Sequence, residues 1–95
     1  MSYVIRCVDI GAGVRHAGPN VIGLLLREYD PEAHEGLGEV DWTRFPEDAM
    51  LFETTIAAWQ LWRTIPIARP FREDGHFNRP LTAFTVEIIE LKEVM

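Results

Sequence analysis

The side chains best suited to binding chemistry lie in the arginine loop, residues 68–80, which carries Arg69, Arg72, His76 and Arg79. Guanidinium groups present forked donors that match phosphate and carboxylate oxygens, so these four side chains could form an anion site. Arg-Pro pairs at both ends and an Asp-Gly turn at the centre would hold the loop in a semi-rigid shape. The alternative, which we favour, is that the arginines bind the chain's own acidic residues or backbone carbonyls and fix this long connection.

A second candidate for binding is a run of acidic residues that precedes the arginine loop. Residues 28–53 contain nine acidic residues and one arginine, whereas residues 63–79 contain four arginines and two acidic residues. Charges sorted in this way create local fields that steer charged partners. The predicted acidic contact surface consists of Glu28, Asp30, Glu32, Glu35, Glu39 and Asp41. One alternative is a solvated loop, and another is an array of carboxylates that imitates the phosphate backbone of a nucleic acid.

Motifs that would indicate catalysis or a metal site are incomplete. Gly11-Ala12-Gly13 follows a predicted strand, as in a dinucleotide-binding turn, but His16 stands where the third glycine is required. Asp30, Glu32 and His34 alternate like cation ligands, but the stretch lacks the glycine and the glutamate that a calcium loop has at its sixth and twelfth positions. None of the three histidines has a serine or cysteine beside it for nucleophilic catalysis. We therefore predict no catalytic residue, no metal site and no cofactor.

Length and composition set the class of protein. The chain has 95 residues, 47% of them hydrophobic, which is enough for one core, and we predict a single globular domain, residues 1–95. The formal net charge of −6 argues against direct binding to nucleic acid, because phosphate affinity comes mainly from cationic side chains. The chain shows neither a secretory signal nor an apolar run of the roughly 18 to 20 residues that a membrane span needs. Because its one cysteine, Cys7, also fits a reducing compartment, we expect a cytoplasmic protein.

The strands that would position these residues follow from periodicity and turn signals. Residues 3–10 are rich in β-branched and aromatic residues and predict a first strand, and residues 21–26 predict a second. Residues 30–41 predict an exposed loop, with a possible short strand that ends at Trp42. Residues 81–91 predict the last strand.

Helices are predicted from capping signals. A proline followed by two acidic residues predicts a short helix at about 46–51, and a threonine cap predicts a longer helix at about 54–63. We expect Trp59 and Trp62 of the longer helix to form the centre of the core. The predicted fold class is α+β: a small antiparallel sheet of three to four strands with both helices packed on one face.

Six segments between residues 20 and 90 form a distinctive combination. They are Tyr29-Asp30-Pro31-Glu32-Ala33-His34, Trp42-Thr43, Pro46-Glu47-Asp48-Ala49-Met50-Leu51-Phe52, Arg69-Pro70, Asp74-Gly75 and Asn78-Arg79-Pro80-Leu81-Thr82-Ala83-Phe84-Thr85-Val86. In these segments the chain resembles small accessory proteins encoded by bacteriophages and prophages. The resemblance implies a viral protein that works in the cytoplasm of the host cell, and it implies no catalytic residue.

The first predicted function is therefore that of a non-enzymatic phage accessory protein, an inhibitor or a nucleic-acid mimic. It would bind a host or phage protein through acidic residues 28–53 or through the arginine loop. The second is a small module or minor enzyme that binds a phosphorylated ligand through Arg69, Arg72, His76 and Arg79. The third is a virion component that pairs through an exposed edge strand such as residues 81–91. The sequence leaves the oligomeric state open.

Overall fold

The computed structural model describes residues 2–10 and 21–94, and within them a four-stranded antiparallel sheet forms the framework. Its strands are β1 (Tyr3–Ile10), β2 (Leu25–Asp30), β3 (Glu39–Thr43) and β4 (Phe84–Glu90). Their spatial order is β3-β2-β1-β4, so that β2 and β1 are interior strands and β3 and β4 are the edges among the described residues.

Two helices and three short 3₁₀ turns complete the described elements. They are α1 (Ala33–Gly36) and α2 (Thr55–Trp62), with the 3₁₀ turns at Pro46–Asp48, Pro80–Ala83 and Leu91–Glu93. Helix α2 packs against β1 and β4. One longer helix, one short turn of helix and a small antiparallel sheet confirm the predicted α+β class. None of the helices in the described ranges is long and apolar enough to cross a membrane.

The strand predicted at residues 21–26 is wrong, whereas β1 has the predicted limits. Ile22 and Gly23 form a turn, in which Gly23 has a φ of +90° and the Leu24 amide donates to the Val21 carbonyl at 3.0 Å. Strand β2 therefore starts later and continues into charged residues. The apolar run from Val21 does not reveal where the turn ends, because apolar residues occur on both sides of that point.

The helix predicted at about 54–63 is confirmed, because the hydroxyl of Thr54 caps it by accepting a hydrogen bond from the Ala57 amide at 3.1 Å. The short helix predicted at about 46–51 is a single 3₁₀ turn, since Ala49 is already extended, with a ψ of 147°. The last strand is also shorter than predicted, because the turn at Pro80–Ala83 precedes it.

The centre of the core lies on the strands and not on the two tryptophans, so that prediction is wrong. The largest fully buried side chains are those of Val4, Ile5, Cys7, Leu26, Pro66 and Leu81. Trp59 and Trp62 are half-buried and meet edge to face, with ring centroids 5.4 Å apart. The small side chain of Ala58 is the fully buried residue of α2, so it lets the helix approach the sheet while the larger tryptophans stay at the margin. Burial also raises the pKa of the Cys7 thiol.

Candidate functional site

The first candidate site is the outer face of β2 and β3, where four carboxylates stand in two facing pairs. Glu28 lies opposite Asp41, and Asp30 lies opposite Glu39. All four residues are exposed. The two of each strand lie on the same side of the sheet, because alternate residues of a strand point to the same side. They line a groove of about 540 Å³. We call these four residues the acidic face; they are four of the six acidic contact residues that the sequence predicts.

A bulge in β2 makes this arrangement possible. The pairing with β3 shifts register between Leu26 and Glu28, so that Leu26 and Tyr29 both turn toward the core although they are three positions apart. Arg27 and Glu28 both turn outward as a result. Arg27 then reaches Asp41, with 3.2 Å between Nη1 and Oδ2 and both side chains about half exposed. A pair this exposed contributes at most about 1 kcal/mol, so it offsets little of the negative charge.

The acidic face is unfavourable for the fold itself. Like charges that stand directly opposite each other on neighbouring strands destabilise a sheet, by roughly 0.2–1 kcal/mol per pair. Tyr29 is half-buried beside this face, and its hydroxyl oxygen is buried. Burial is the main reason that the pKa of Tyr29 rises to about 12, and the negative charges of Asp30 and Glu32 act in the same direction.

The remaining two predicted acidic contact residues have other positions. The carboxylate of Glu32 accepts hydrogen bonds from the backbone amides of Ile67 at 2.6 Å and Ala68 at 2.8 Å. Glu32 therefore holds the chain where it enters the arginine loop. Glu35 lies in α1, where His34 and Glu35 have left-handed φ values of 53° and 59°. Its side chain is exposed but does not line the groove of the acidic face.

The second candidate site is a hairpin within the arginine loop, residues 70–78, which we call the aromatic hairpin. The Arg72 amide donates to the His76 carbonyl at 2.8 Å, and the Asn78 amide donates to the Pro70 carbonyl at 2.9 Å. Between these two bonds, Phe71 and Phe77 are bridge partners whose rings stack, with centroids 5.1 Å apart and an interplanar angle of 25°. The side chains of such a non-hydrogen-bonded pair approach closely, which accounts for the stack.

The tip of the aromatic hairpin is a tight turn. Gly75 has a φ of +87°, which a residue with a side chain rarely adopts, and its amide donates to the Arg72 carbonyl at 3.0 Å. The Asp74 carboxylate accepts a hydrogen bond from the His76 amide at 3.0 Å. This backbone hydrogen bond is the main reason that the pKa of Asp74 lies below its ordinary value. The Asp-Gly turn predicted from the sequence is therefore present.

Asn78 ties the base of the aromatic hairpin to α1. Its buried side-chain amide donates to the Gly36 carbonyl at 2.7 Å and to the Arg69 carbonyl at 2.9 Å. Gly36 has a φ of +89°, and a β-carbon at this position would lie 2.5 Å from the β-carbon of Arg69, so only glycine fits. Sequence reasoning missed this contact, because nothing in the sequence marks Asn78 as buried or relates it to Gly36.

Among the described residues, the hydrogen bonds that attach the arginine loop to the rest of the chain involve Glu32 and Asn78 and not a guanidinium group. Glu32 and Asn78 fix the loop in place, through its backbone. The Arg79 guanidinium lies over the Phe77 ring, 5.7 Å from its centroid. Among the residues that the structure describes, no ion pair joins an arginine of this loop to the acidic face. Across the described chain the acidic face is therefore not neutralised by the arginine loop, although Glu32 of the acidic stretch contacts Ile67 and Ala68 next to Arg69.

Two of the four predicted anion-binding residues share one depression in the described structure. Arg69 and Arg72 line a depression of about 420 Å³, but Glu73 and Asp74 line it as well. His76 and Arg79 are not among its lining residues. Two carboxylates beside two guanidinium groups leave the depression without the excess of positive charge that a phosphate site requires.

No protein-family model, curated protein or solved structure matches the chain. Within residues 2–10 and 21–94, no group of three or more histidine, cysteine, aspartate or glutamate side chains is placed to hold a metal ion. The Gly11-Ala12-Gly13 motif lies outside the described residues. The acidic face and the aromatic hairpin are therefore the two features of the described chain that bear on its function.

Proposed function

We propose that this protein is a non-enzymatic binding module whose acidic face docks onto a basic surface of another macromolecule, most simply a protein. The observation that carries the proposal is the pairing of like charges across β2 and β3, Glu28 with Asp41 and Asp30 with Glu39. This arrangement opposes folding, and a basic partner would relieve the repulsion on binding. Oppositely charged surfaces also speed the encounter of two macromolecules.

Protection of a sheet edge explains only half of the acidic face. Charged side chains on an edge strand prevent unwanted pairing with another chain, and β3 is an edge strand among the described residues. That role would suffice for Glu39 and Asp41. Glu28 and Asp30, however, lie on β2, an interior strand that pairs with β3 on one side and β1 on the other. The Asp30 carboxylate accepts the Glu32 amide at 3.0 Å in the turn that follows β2. Edge protection does not account for Glu28, and our proposal assigns it to the contact with a partner.

The setting that we propose is a bacterial cell infected by a phage, which follows from the resemblance to small phage proteins. The partner would be a host or phage protein, and the chain would act on it as an inhibitor or as a mimic of nucleic acid. Carboxylates in parallel rows on two adjacent strands support the mimic, because alternate residues on one strand are roughly 6.6–6.8 Å apart and form a regular array of charge.

The test compares how much host protein is captured by the immobilised wild-type chain and by an immobilised variant whose acidic face is neutralised. The variant E28Q/D30N/E39Q removes three charges and leaves the Arg27–Asp41 pair intact. The matched control E47Q/D48N/E53Q removes the same number of charges from exposed positions outside the acidic face. We expect wild type and control to retain the same basic protein at low salt, and the acidic-face variant to lose it.

Two further arms of this experiment sharpen its outcome. Binding should weaken as salt is raised, since salt screens exposed charges over about 10 Å at 0.1 M. Duplex DNA should compete with the chain if the partner's basic surface is a nucleic-acid site. Equal retention by wild type and the acidic-face variant would overturn the proposal, as would capture of nothing by any of the three proteins.

A further inference from the structure

The aromatic hairpin presents an apolar surface that its own contacts leave about half exposed to solvent. Phe71 is 54% exposed and Phe77 is 51% exposed, although the two rings stack on each other. The base of the hairpin is held by Asn78 and its tip by Asp74, so the rings stand on a fixed support. Rigid, exposed aromatic residues are enriched at the energetic centres of protein interfaces, because they bury much area and lose little conformational entropy.

The charges around the two rings include both signs. Arg72, Glu73 and Asp74 are exposed on the aromatic hairpin, and Arg79 is exposed directly after it. The acidic face differs in this respect, because it carries four carboxylates. A two-fold symmetric interface brings the same surface together twice, so the surface must be complementary to itself. The acidic face would repel its own copy, whereas the aromatic hairpin satisfies the condition with an apolar centre and a rim of both signs.

We propose that the aromatic hairpin is a self-association surface, through which two copies of this chain form a symmetric dimer. The Phe71 and Phe77 rings of one copy pack against the same rings of the other, and each Arg72 faces Glu73 and Asp74 of the opposite copy. A hairpin of nine residues offers a small interface, so the dimer is weak. The acidic faces of both copies stay open, and the dimer presents two of them to a partner.

The first test is the molar mass at sedimentation equilibrium from about 10 µM to about 1 mM, the range in which a small interface gives detectable association. The wild-type mass should rise toward that of a dimer, and the F71S/F77S variant should stay a monomer throughout. Phe45 provides a matched control, because it is 50% exposed and has the Arg44 guanidinium 5.6 Å from its ring centroid. The F45S variant should associate like wild type.

The second test uses charge exchange and does not depend on removing the rings. Arg72→Glu places three acidic side chains together on each hairpin and should weaken the dimer by about tenfold or more. The exchange R72E/E73R restores both signs and should restore association. The side chains involved are exposed, so neither variant is expected to disturb the fold.

Three results would overturn this proposal. A wild-type mass that stays monomeric to about 1 mM would leave the hairpin to a different partner. A dimer that persists in F71S/F77S would place the interface elsewhere. An exchange variant that stays as weak as R72E would exclude the charge pairing. These outcomes are separate from the capture experiment on the acidic face, because the E28Q/D30N/E39Q variant should dimerise like wild type.

Discussion

The acidic face and the aromatic hairpin are built in opposite ways. The acidic face stands on two paired strands, carries carboxylates in facing pairs and repels itself. The aromatic hairpin lies in an irregular loop and carries both signs of charge around two stacked rings. This difference in the distribution of charge is the reason that we propose a basic partner for the acidic face and a second copy of the chain for the aromatic hairpin.

The two regions also differ in what holds them. The strands under the acidic face are fixed by backbone hydrogen bonds between β2 and β3, which do not depend on any acidic side chain. The aromatic hairpin is fixed by the side chain of Asn78, and the segment that leads into it is fixed by the side chain of Glu32. Single substitutions should therefore release the hairpin and leave the acidic face in place.

Asn78→Ala should have the largest effect. The substitution removes the side-chain amide that donates to the Gly36 and Arg69 carbonyls. A buried polar group without a partner costs about 1–3 kcal/mol. We expect the free energy of unfolding to fall by about 2–4 kcal/mol. In hydrogen exchange, the amides of the aromatic hairpin should lose more protection than those of β2 and β3. Equal loss in both regions would show that the hairpin and the sheet open as one unit.

Glu32→Gln should have a smaller effect on the same attachment. One amide oxygen replaces two carboxylate oxygens that accept from Ile67 and Ala68, and the negative charge is lost. We expect a loss of about 1 kcal/mol in the free energy of unfolding, measured by denaturant titration. Glu35→Gln is the matched control and should change stability by less than about 0.5 kcal/mol. Similar values for the two variants would mean that the Glu32 contacts add nothing to stability.

Acid should loosen the tip of the aromatic hairpin. The pKa of Asp74 is lowered in the folded state, chiefly by its hydrogen bond from the His76 amide. The stabilisation is therefore fully present above the ordinary pKa of 3.8 and is lost as the pH falls through the lower folded value. The His76 amide chemical shift should titrate with a midpoint below 3.8. Asp74→Asn keeps an oxygen acceptor and should abolish this titration; an unchanged curve would assign it to another carboxyl group.

A titration to alkaline pH should show how the surroundings of the acidic face shift the pKa of Tyr29. Tyr29 has a pKa raised to about 12 from an ordinary value of 10.0. The contribution of its protonated hydroxyl to the stability of the fold is therefore complete below pH 10 and is lost as the pH rises through 12. In a Tyr3→Phe background, the absorbance of tyrosinate reports Tyr29 alone, since the chain has two tyrosines. Asp30→Asn should lower this pKa slightly, because it removes one of the negative charges that raise it. Ionisation near pH 10 would show that the hydroxyl is not buried.

The parts of the fold that depend on local signals could be predicted from the sequence. The β-branched run gives β1 its limits, and the Thr54 cap gives the start of α2. The concentration of acidic residues also follows from the sequence, because the segment that carries them is continuous. These features depend on residues close together in the chain, where propensity and capping determine the conformation.

Features that depend on distant residues could not be predicted. Glu32 contacts Ile67, and Asn78 contacts Gly36, across more than thirty residues of sequence. No local pattern in the sequence marks either contact. The bulge after Leu26 decides that Glu28 faces outward with Asp30, and a one-residue change of register would reverse that orientation. The sequence therefore predicts which residues are acidic, but only the sheet shows which four of them act together.

The most direct test of the acidic face as a docking surface compares the stability and the binding of one variant. If the acidic face serves a partner and opposes the fold, E28Q/D30N/E39Q should raise the free energy of unfolding by about 0.2–1 kcal/mol for each relieved pair of like charges and should lose the captured basic protein. The control E47Q/D48N/E53Q should change neither quantity. A variant that is less stable than wild type, or equally stable with its binding intact, would contradict the account.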